Sequence, residues 1–284
     1  MRAKTLPLLT GLMLLTACSG GVQTPPSPAA APTSSASSAT PSPSSSSPQP
    51  PSSPSSPPSS SALPPVGSGK VVVLDPGHNG GNAAHPDEIN RKVPAGRGQT
   101  KPCNTTGTST NAGYTEHAFT FAVAQEVGNA LAAKGIKVVY TRQNDSGVGP
   151  CVDERARIGN DANADAVVSI HADGSTSPTA HGFHVAYSAP PLNAAQGEPS
   201  LKLARTMRDG MHDDGFATST YIGSAGLSPR NDLAGLNLST RPAVLVECGN
   251  MRNADEASQM SSAAGRAHYA QAIAKAIEAY LAGS

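Results

Sequence analysis

Tryptophan is missing from this chain, and only four phenylalanines and six tyrosines occur among its 284 residues. That scarcity argues against a binding module built on aromatic stacking platforms. Charge of one sign is equally scarce: 20 basic residues face 20 acidic ones, and no run of like charges occurs. A nucleic-acid surface needs a basic stripe or patch, so nucleic acid is not an expected partner. Cysteines number four, and no two have the close spacing of a zinc knuckle. Nor is there a long hydrophobic run. The most apolar stretch, "LPLLTGLMLL", falls short of the roughly 20 residues that cross a bilayer.

What is present divides into three segments. In residues 1–18, Arg2 and Lys4 precede that short apolar run, the pattern of a secretory signal. The run ends in "LTAC", which resembles the bacterial lipobox, with Cys18 as the lipidated residue and the membrane as its partner. The plainer alternative is an ordinary signal with a chance cysteine. Residues 19–69 are almost all Ser, Pro, Ala, Thr and Gly, without a charge. Such a segment cannot bury enough surface to offset its ordering entropy, so it reads as a disordered tether. As a flexible coil it would span roughly 40 Å, and as polyproline II roughly 160 Å.

Residues 70–284 have the length of one domain with a proper core. Removing Arg2 and Lys4 leaves 18 basic residues against 20 acidic ones there, a net of −2. Apolar β-branched runs, "KVVVLD", "IKVVYT", "DAVVSIHA", "GFHVAYS" and "AVLVECG", alternate with helix-period segments over 115–133, 152–163, 200–212 and 263–281. That alternation predicts a single α/β domain: a mostly parallel or mixed twisted sheet flanked by helices on both faces. Cys103 and Cys151 lie in polar, turn-rich stretches and are expected to pair in an oxidising compartment, while Cys248, inside an apolar run, is expected to be a buried free thiol.

In such a sheet, ligands collect at the carboxyl ends of the strands, where the loops converge. His78 follows the first strand, in "VVVLDPGHNGG"; His171 ends "VVSIHAD"; Glu247 ends "AVLVECG". Glu116 comes from a helix. At 100° per residue, Phe119, Thr120, Val123, Val127, Ala130 and Leu131 fall within about 60° of it, so it sits in the middle of the face that packs on the sheet. A bare carboxylate there costs several kcal/mol, so it is either protonated or joined to a cation. His117, about 100° away, is expected at the rim. His184 faces either the site or the opposite layer, depending on strand register. His85, His181, His212 and His268 are expected to be solvated.

Two imidazoles and a carboxylate form the ligand set of a zinc site with an open position, where a bound water loses its proton near pH 7. Other first-row metals would also fit. Glu247 would then be the general base.

These motifs, together with "GYTEHAFTFAVAQEV", "HGFHVAYS" and "RPAVLVECGNMRN", resemble in order those of the zinc-dependent N-acetylmuramoyl-L-alanine amidases of the amidase-3 family. The resemblance implies zinc ligands at His78, Glu116 and His171 and a catalytic glutamate at Glu247. It implies hydrolysis of the amide between the lactyl group of N-acetylmuramic acid and the L-alanine of the stem peptide. The partner would be peptidoglycan or muropeptides, the place the cell envelope outside the cytoplasmic membrane, and the protein a monomer. Thr120 and Asn250 stand where relatives carry asparagine and an aromatic residue. Some relatives insert a blocking helix after the strand equivalent to "GFHVAYS", whereas here only "APPLNAAQGEP" follows, so no internal plug is expected. Residues 79–113 are expected to be a loop at the mouth of the site. The alternative from another class is a lipid-anchored muropeptide-binding protein without turnover, and a third possibility is a zinc peptidase acting on another amide.

Overall fold

The computed structural model describes residues 69–284, so the export signal, Cys18 and, apart from Gly69, the tether lie outside the described residues. In chain order the strands are β1 (Val71–Pro76), β2 (Lys92–Gly96), β3 (Gln99–Pro102), β4 (Lys137–Tyr140), β5 (Ala166–Asp173), β6 (His184–Ser188), β7 (Leu227–Arg230) and β8 (Ala243–Asn250). The α-helices are α1 (Pro86–Ile89), α2 (Glu116–Ala133), α3 (Val152–Asp161), α4 (Glu198–Asp213), α5 (Ala234–Asn237), α6 (Ala254–Ser261) and α7 (Ala263–Ala282). None of them is long and apolar enough to cross a membrane.

Six strands form one sheet in the order β4-β1-β5-β8-β6-β7. The first four run parallel, β6 is antiparallel to β8, and β7 is parallel to β6. From β1 the chain leaves through α2 to β4 on one side, and from β5 it leaves toward β6 on the other. The carboxyl ends of β1 and β5 therefore flank the point where strand order reverses, the crevice in which open α/β sheets bind ligands.

Strand alternation divides the core in two. Val72 and Leu74 of β1, Val168 and Ile170 of β5, and Val244 and Val246 of β8 point to one face, where Phe119, Val123, Val127 and Leu131 of α2 close over them with α4 and α7. All four of these α2 side chains are buried, and Glu116 at the head of the stripe is buried with them, as the wheel requires. Cys248 is a buried free thiol in this layer. The opposite face carries Val73, Val167, Ala186 and Ala243, covered more thinly by α3 and α5.

The 79–113 segment is not simply a loop. It contains α1 and the hairpin β2–β3, turned by Arg97 and Gly98 at φ 55° and 71°. Positive φ at both central residues matches the right-handed twist of the strands, which is why this turn closes a hairpin. Pro94 inside β2 and Pro102 at the end of β3 hide the strands from an alternation pattern. Pro229 does the same for β7. The Cys103–Cys151 disulfide joins the end of the hairpin to the N-cap of α3, with Cα atoms 4.4 Å apart. Between β6 and α4 the chain makes a single 3-10 turn, Ala194–Gln196.

Candidate metal centre

His78 emerges two residues beyond β1 with φ 60°, a left-handed conformation that L-residues rarely take. Glu116 is the first residue of α2, and His171 lies near the end of β5. Fold topology brings these three together: one nitrogen or oxygen from each lies within 4.8 Å of the others. His78 Nε2 is 3.1 Å and His171 Nδ1 3.0 Å from the same Glu116 Oε1. Glu247 is not in that trio. It sits on β8 as the register partner of His171, on the same face of the sheet.

A strap over the trio holds two of its members. His78 Nδ1 lies 3.0 Å from the carbonyl oxygen of Thr105, an acceptor, so Nδ1 carries a proton and Nε2 is the nitrogen turned toward the trio. Thr108 N–H donates to Glu116 Oε2 at 2.9 Å, and Ala172 N–H donates to Oε1 at 3.1 Å. Gly107, at φ 76° between them, passes so close that a Cβ there would meet Glu116 Oε2 at 2.8 Å and His78 Cδ2 at 2.9 Å. Beneath the strap a cavity of about 450 Å³ runs from the trio over the thinly covered sheet face to Ala243, lined by Ser169, Glu247 and Leu236 among others.

Electrostatics separates the two glutamates. Burial alone would raise the Glu116 pKa, but His78 and His171 outweigh it and hold the carboxyl well below its usual range. Burial likewise works against a charged His78, and the Glu116 carboxylate outweighs it and raises the pKa. Glu247 is pushed well above the usual range, by burial first and then by the Asp173 and Glu116 charges, with Arg230 opposing. Its Oε2 is buried and without a hydrogen-bond partner.

The donor set fits a zinc ion: two imidazoles, from which a bound metal would displace a proton, and one ionised carboxylate, each already oriented by a second hydrogen bond or by its neighbours. His117 lies at the rim, its Nδ1 2.7 Å from Asp145 Oδ2. His184 is directly opposite Glu247 on the antiparallel partner strand, hence on the same face. It is buried, 3.6 Å from Asp173 Oδ2, and its pKa is lowered to about 4 by burial and by Arg230. Thr120 donates to the carbonyl of Gly77 at 2.8 Å, and the Asn250 side chain donates to the carbonyls of Ser175 and Ala180. His85, His181, His212 and His268 are exposed.

The residues that the sequence reading missed hold the site in place: Asp75, Arg142, Arg155, Thr105 of the strap, and the Tyr221 hydroxyl that donates to Asp173 at 2.9 Å. One signal was available for Arg155, which sits with Ala156 and Gly159 on the buried stripe of α3. A charge on such a stripe needs a partner.

A family model described as N-acetylmuramoyl-L-alanine amidase matches residues 72–279. The chain belongs to that family. Among its amidase relatives is N-acetylmuramoyl-L-alanine amidase Rv3717 of Mycobacterium tuberculosis, 50% identical over 215 residues, which are 76% of this chain and 88% of the relative. The crystal structure of the amidase Ami1 from Mycobacterium smegmatis is 51% identical with a TM-score of 0.74, over 76% of this chain and 99% of that one. The apo form of Ami1 from Mycobacterium abscessus gives 53% identity and a TM-score of 0.73, over 75% and 99%. The mixed α/β sheet flanked by helices is thus the fold of solved amidases.

Proposed function

We propose that the protein is a peptidoglycan hydrolase that cleaves the amide between the lactyl group of N-acetylmuramic acid and the L-alanine of the stem peptide. In this reading His78, Glu116 and His171 hold a zinc ion, and Glu247 is the acid-base residue. The observation that carries it is the pairing of the trio with an unpartnered carboxyl, Glu247 Oε2, on the adjacent strand at the same register position.

A zinc ion bound there supplies polarisation of the scissile carbonyl and a water whose pKa is lowered to about 7. The rest falls to the chain. Thr105 fixes the His78 tautomer so that Nε2 faces the trio. The backbone N–H groups of Thr108 and Ala172 fix the Glu116 carboxylate. Glu247 accepts, at Oε2, the proton that the attacking water sheds and returns it to the nitrogen of the departing L-alanine. Its raised pKa makes the ionised carboxyl a stronger base toward the water and keeps the accepted proton bound until it passes to the amine. The cavity beneath the strap gives the substrate a half-enclosed bed from which bulk water is displaced.

The same proposal places the enzyme in the cell envelope, outside the cytoplasmic membrane, anchored through a lipid on Cys18 with residues 19–69 as tether, and acting as a monomer on peptidoglycan or muropeptides. A muropeptide-binding protein without turnover has no use for a half-buried, unpartnered glutamate beside the trio, which favours the enzyme. The test is to incubate the protein with a purified muropeptide, with and without a chelator, and to weigh the products. Free sugar and a peptide beginning at L-alanine, lost with chelator and regained with zinc, are expected. Intact muropeptide beside a zinc-loaded protein would give the binding reading instead, and cleavage within the peptide would give the peptidase.

A further inference from the structure

The turn that delivers His78 is a constrained piece of backbone, packed against the His171 ring. Gly77 cannot carry a side chain, because a Cβ there would lie 2.3 Å from Cε1 of His171. His78 itself is left-handed at φ 60°. Three successive carbonyls of this turn are each gripped by buried side chains. The Pro76 oxygen accepts from Arg155 Nη1 at 2.7 Å and from Arg142 Nε at 2.9 Å. The Gly77 oxygen accepts from Thr120 Oγ1 at 2.8 Å and from Arg142 Nη2 at 3.3 Å. The His78 oxygen accepts from Arg155 Nη2 at 2.8 Å.

Both arginines are buried, each at 4% exposure, and each is paired with an acid: Arg155 with Asp75 at 2.8 Å, and Arg142 with Asp145 at 2.9 Å. That pairing matters because two uncompensated cations behind a metal site would repel the metal. The two side chains are spent almost entirely on backbone. Arg155 Nε donates to Pro150 O, and Arg142 also donates to Asn144 O and His117 O. A rigid planar fork with five donors can hold several fixed carbonyls at once, which a lysine ammonium on a flexible stem cannot.

We infer that Arg155 and Arg142 form a two-guanidinium clamp on the 76–78 backbone, and that Arg155, the one that grips the carbonyl of His78 itself, is a positioning residue that sets the affinity of the site for its metal. The inference rests on the reading of His78 as a ligand. Groups that orient metal ligands commonly contribute 10- to 100-fold in affinity, and this clamp acts on a ligand's backbone instead of its ring.

The experiment measures zinc affinity by competition with a chromophoric chelator, well below the melting temperature, on wild type, Arg155→Ala, Arg155→Lys and Thr120→Val, with far-UV circular dichroism recorded on each sample. Arg155→Ala is expected to bind zinc roughly 10- to 100-fold more weakly than wild type. Added guanidinium ion at millimolar concentration is expected to restore part of that loss, because Arg155 lines the cavity and its removal leaves a hole open to small cations. Arg155→Lys is expected to fall between wild type and Arg155→Ala, and Thr120→Val to lose severalfold. An arginine that merely stabilises the fold would lower the melting temperature and leave the affinity of the folded protein and its response to guanidinium unmoved. If Arg155→Ala does not fold, Arg155→Lys and Thr120→Val carry the test. Wild-type affinity in folded variants overturns the clamp while leaving the metal site standing. A wild type that binds no zinc, and does not differ from His78→Ala, overturns the metal reading itself and the clamp with it.

Discussion

His171 and Glu247 are register partners on the neighbouring parallel strands β5 and β8, with side chains on the same face of the sheet, yet their carboxyl and imidazole environments are opposite in kind. His171 joins His78 around the Glu116 carboxylate. Glu247 stays outside that cluster, with a buried and unpartnered Oε2 and a pKa driven upward by burial and by the acids around it. One step across a sheet thus separates a group that can hold a metal from one that can carry a proton, and the separation is testable in each direction.

Replacing Glu247 by alanine is expected to leave zinc stoichiometry at wild type while turnover of a muropeptide falls by roughly 100- to 10,000-fold, the usual weight of one acid-base residue. His78→Ala is expected to lose both zinc and turnover. Metal analysis by mass spectrometry alongside a product assay checks the pair. A metal-free Glu247→Ala protein would move Glu247 into the ligand set.

Gly77→Ala tests the packing between the two histidine-bearing segments. The new methyl would need the space now held by the His171 ring, 2.3 to 2.6 Å away. Contacts that close cannot persist, so either the ring or the turn must shift, and both hold candidate ligands. Zinc affinity in the folded variant is expected to drop at least tenfold, read by the same chelator competition. An alanine variant with full affinity would mean that the turn at residue 77 yields freely.

The disulfide closes a loop across a sequence separation of 48 between the hairpin and α3. The chain-entropy relation gives about 4 kcal/mol for a loop of that size. For a domain of this length, that corresponds to a fall in melting temperature on the order of 10 °C. Scanning calorimetry with and without reductant, and on Cys103→Ser, is expected to show that fall while the trio still binds zinc. An unchanged melt in reductant would mean that the bridge is not formed in solution.

These residues differ in how far the sequence betrayed them, and the difference is physical. β1, β5 and β8 are buried on both faces, so they read as continuous apolar runs, and His78, His171 and Glu247 stood out as polar residues where those runs end. Glu116 was legible because a helix turns 100° per residue and the wheel put a charge in the middle of an apolar stripe. Which of the four act as ligands and which as base followed from their chemistry, two imidazoles and a carboxylate with a second carboxylate left over, and the family resemblance implied the same assignment. The hairpin β2–β3 and the strand β7 went unseen because prolines interrupt them. Arg142 and Arg155 went unseen for a deeper reason. Their partners are mainly backbone carbonyls, and a carbonyl has no letter in the sequence.

Asp75 gives the clamp a signature in acid. Burial alone would raise its pKa, but Arg155, Ser169 and Thr141 outweigh it and lower it from 3.8 to about 2. A carboxyl with a depressed pKa in the folded state binds fewer protons than in the unfolded chain. Its contribution to stability is therefore fully present above pH 4 and is lost as the pH falls from about 4 to about 2. A shift of this size corresponds to about 2 kcal/mol. Denaturant melts are expected to show the wild type losing about that much across this window beyond what Asp75→Asn loses. Asp75→Asn is also expected to be less stable than wild type at pH 7, because Arg155, at 4% exposure, would then lack its anion. Parallel acid curves for the two proteins would mean that Asp75 is not held ionised by Arg155.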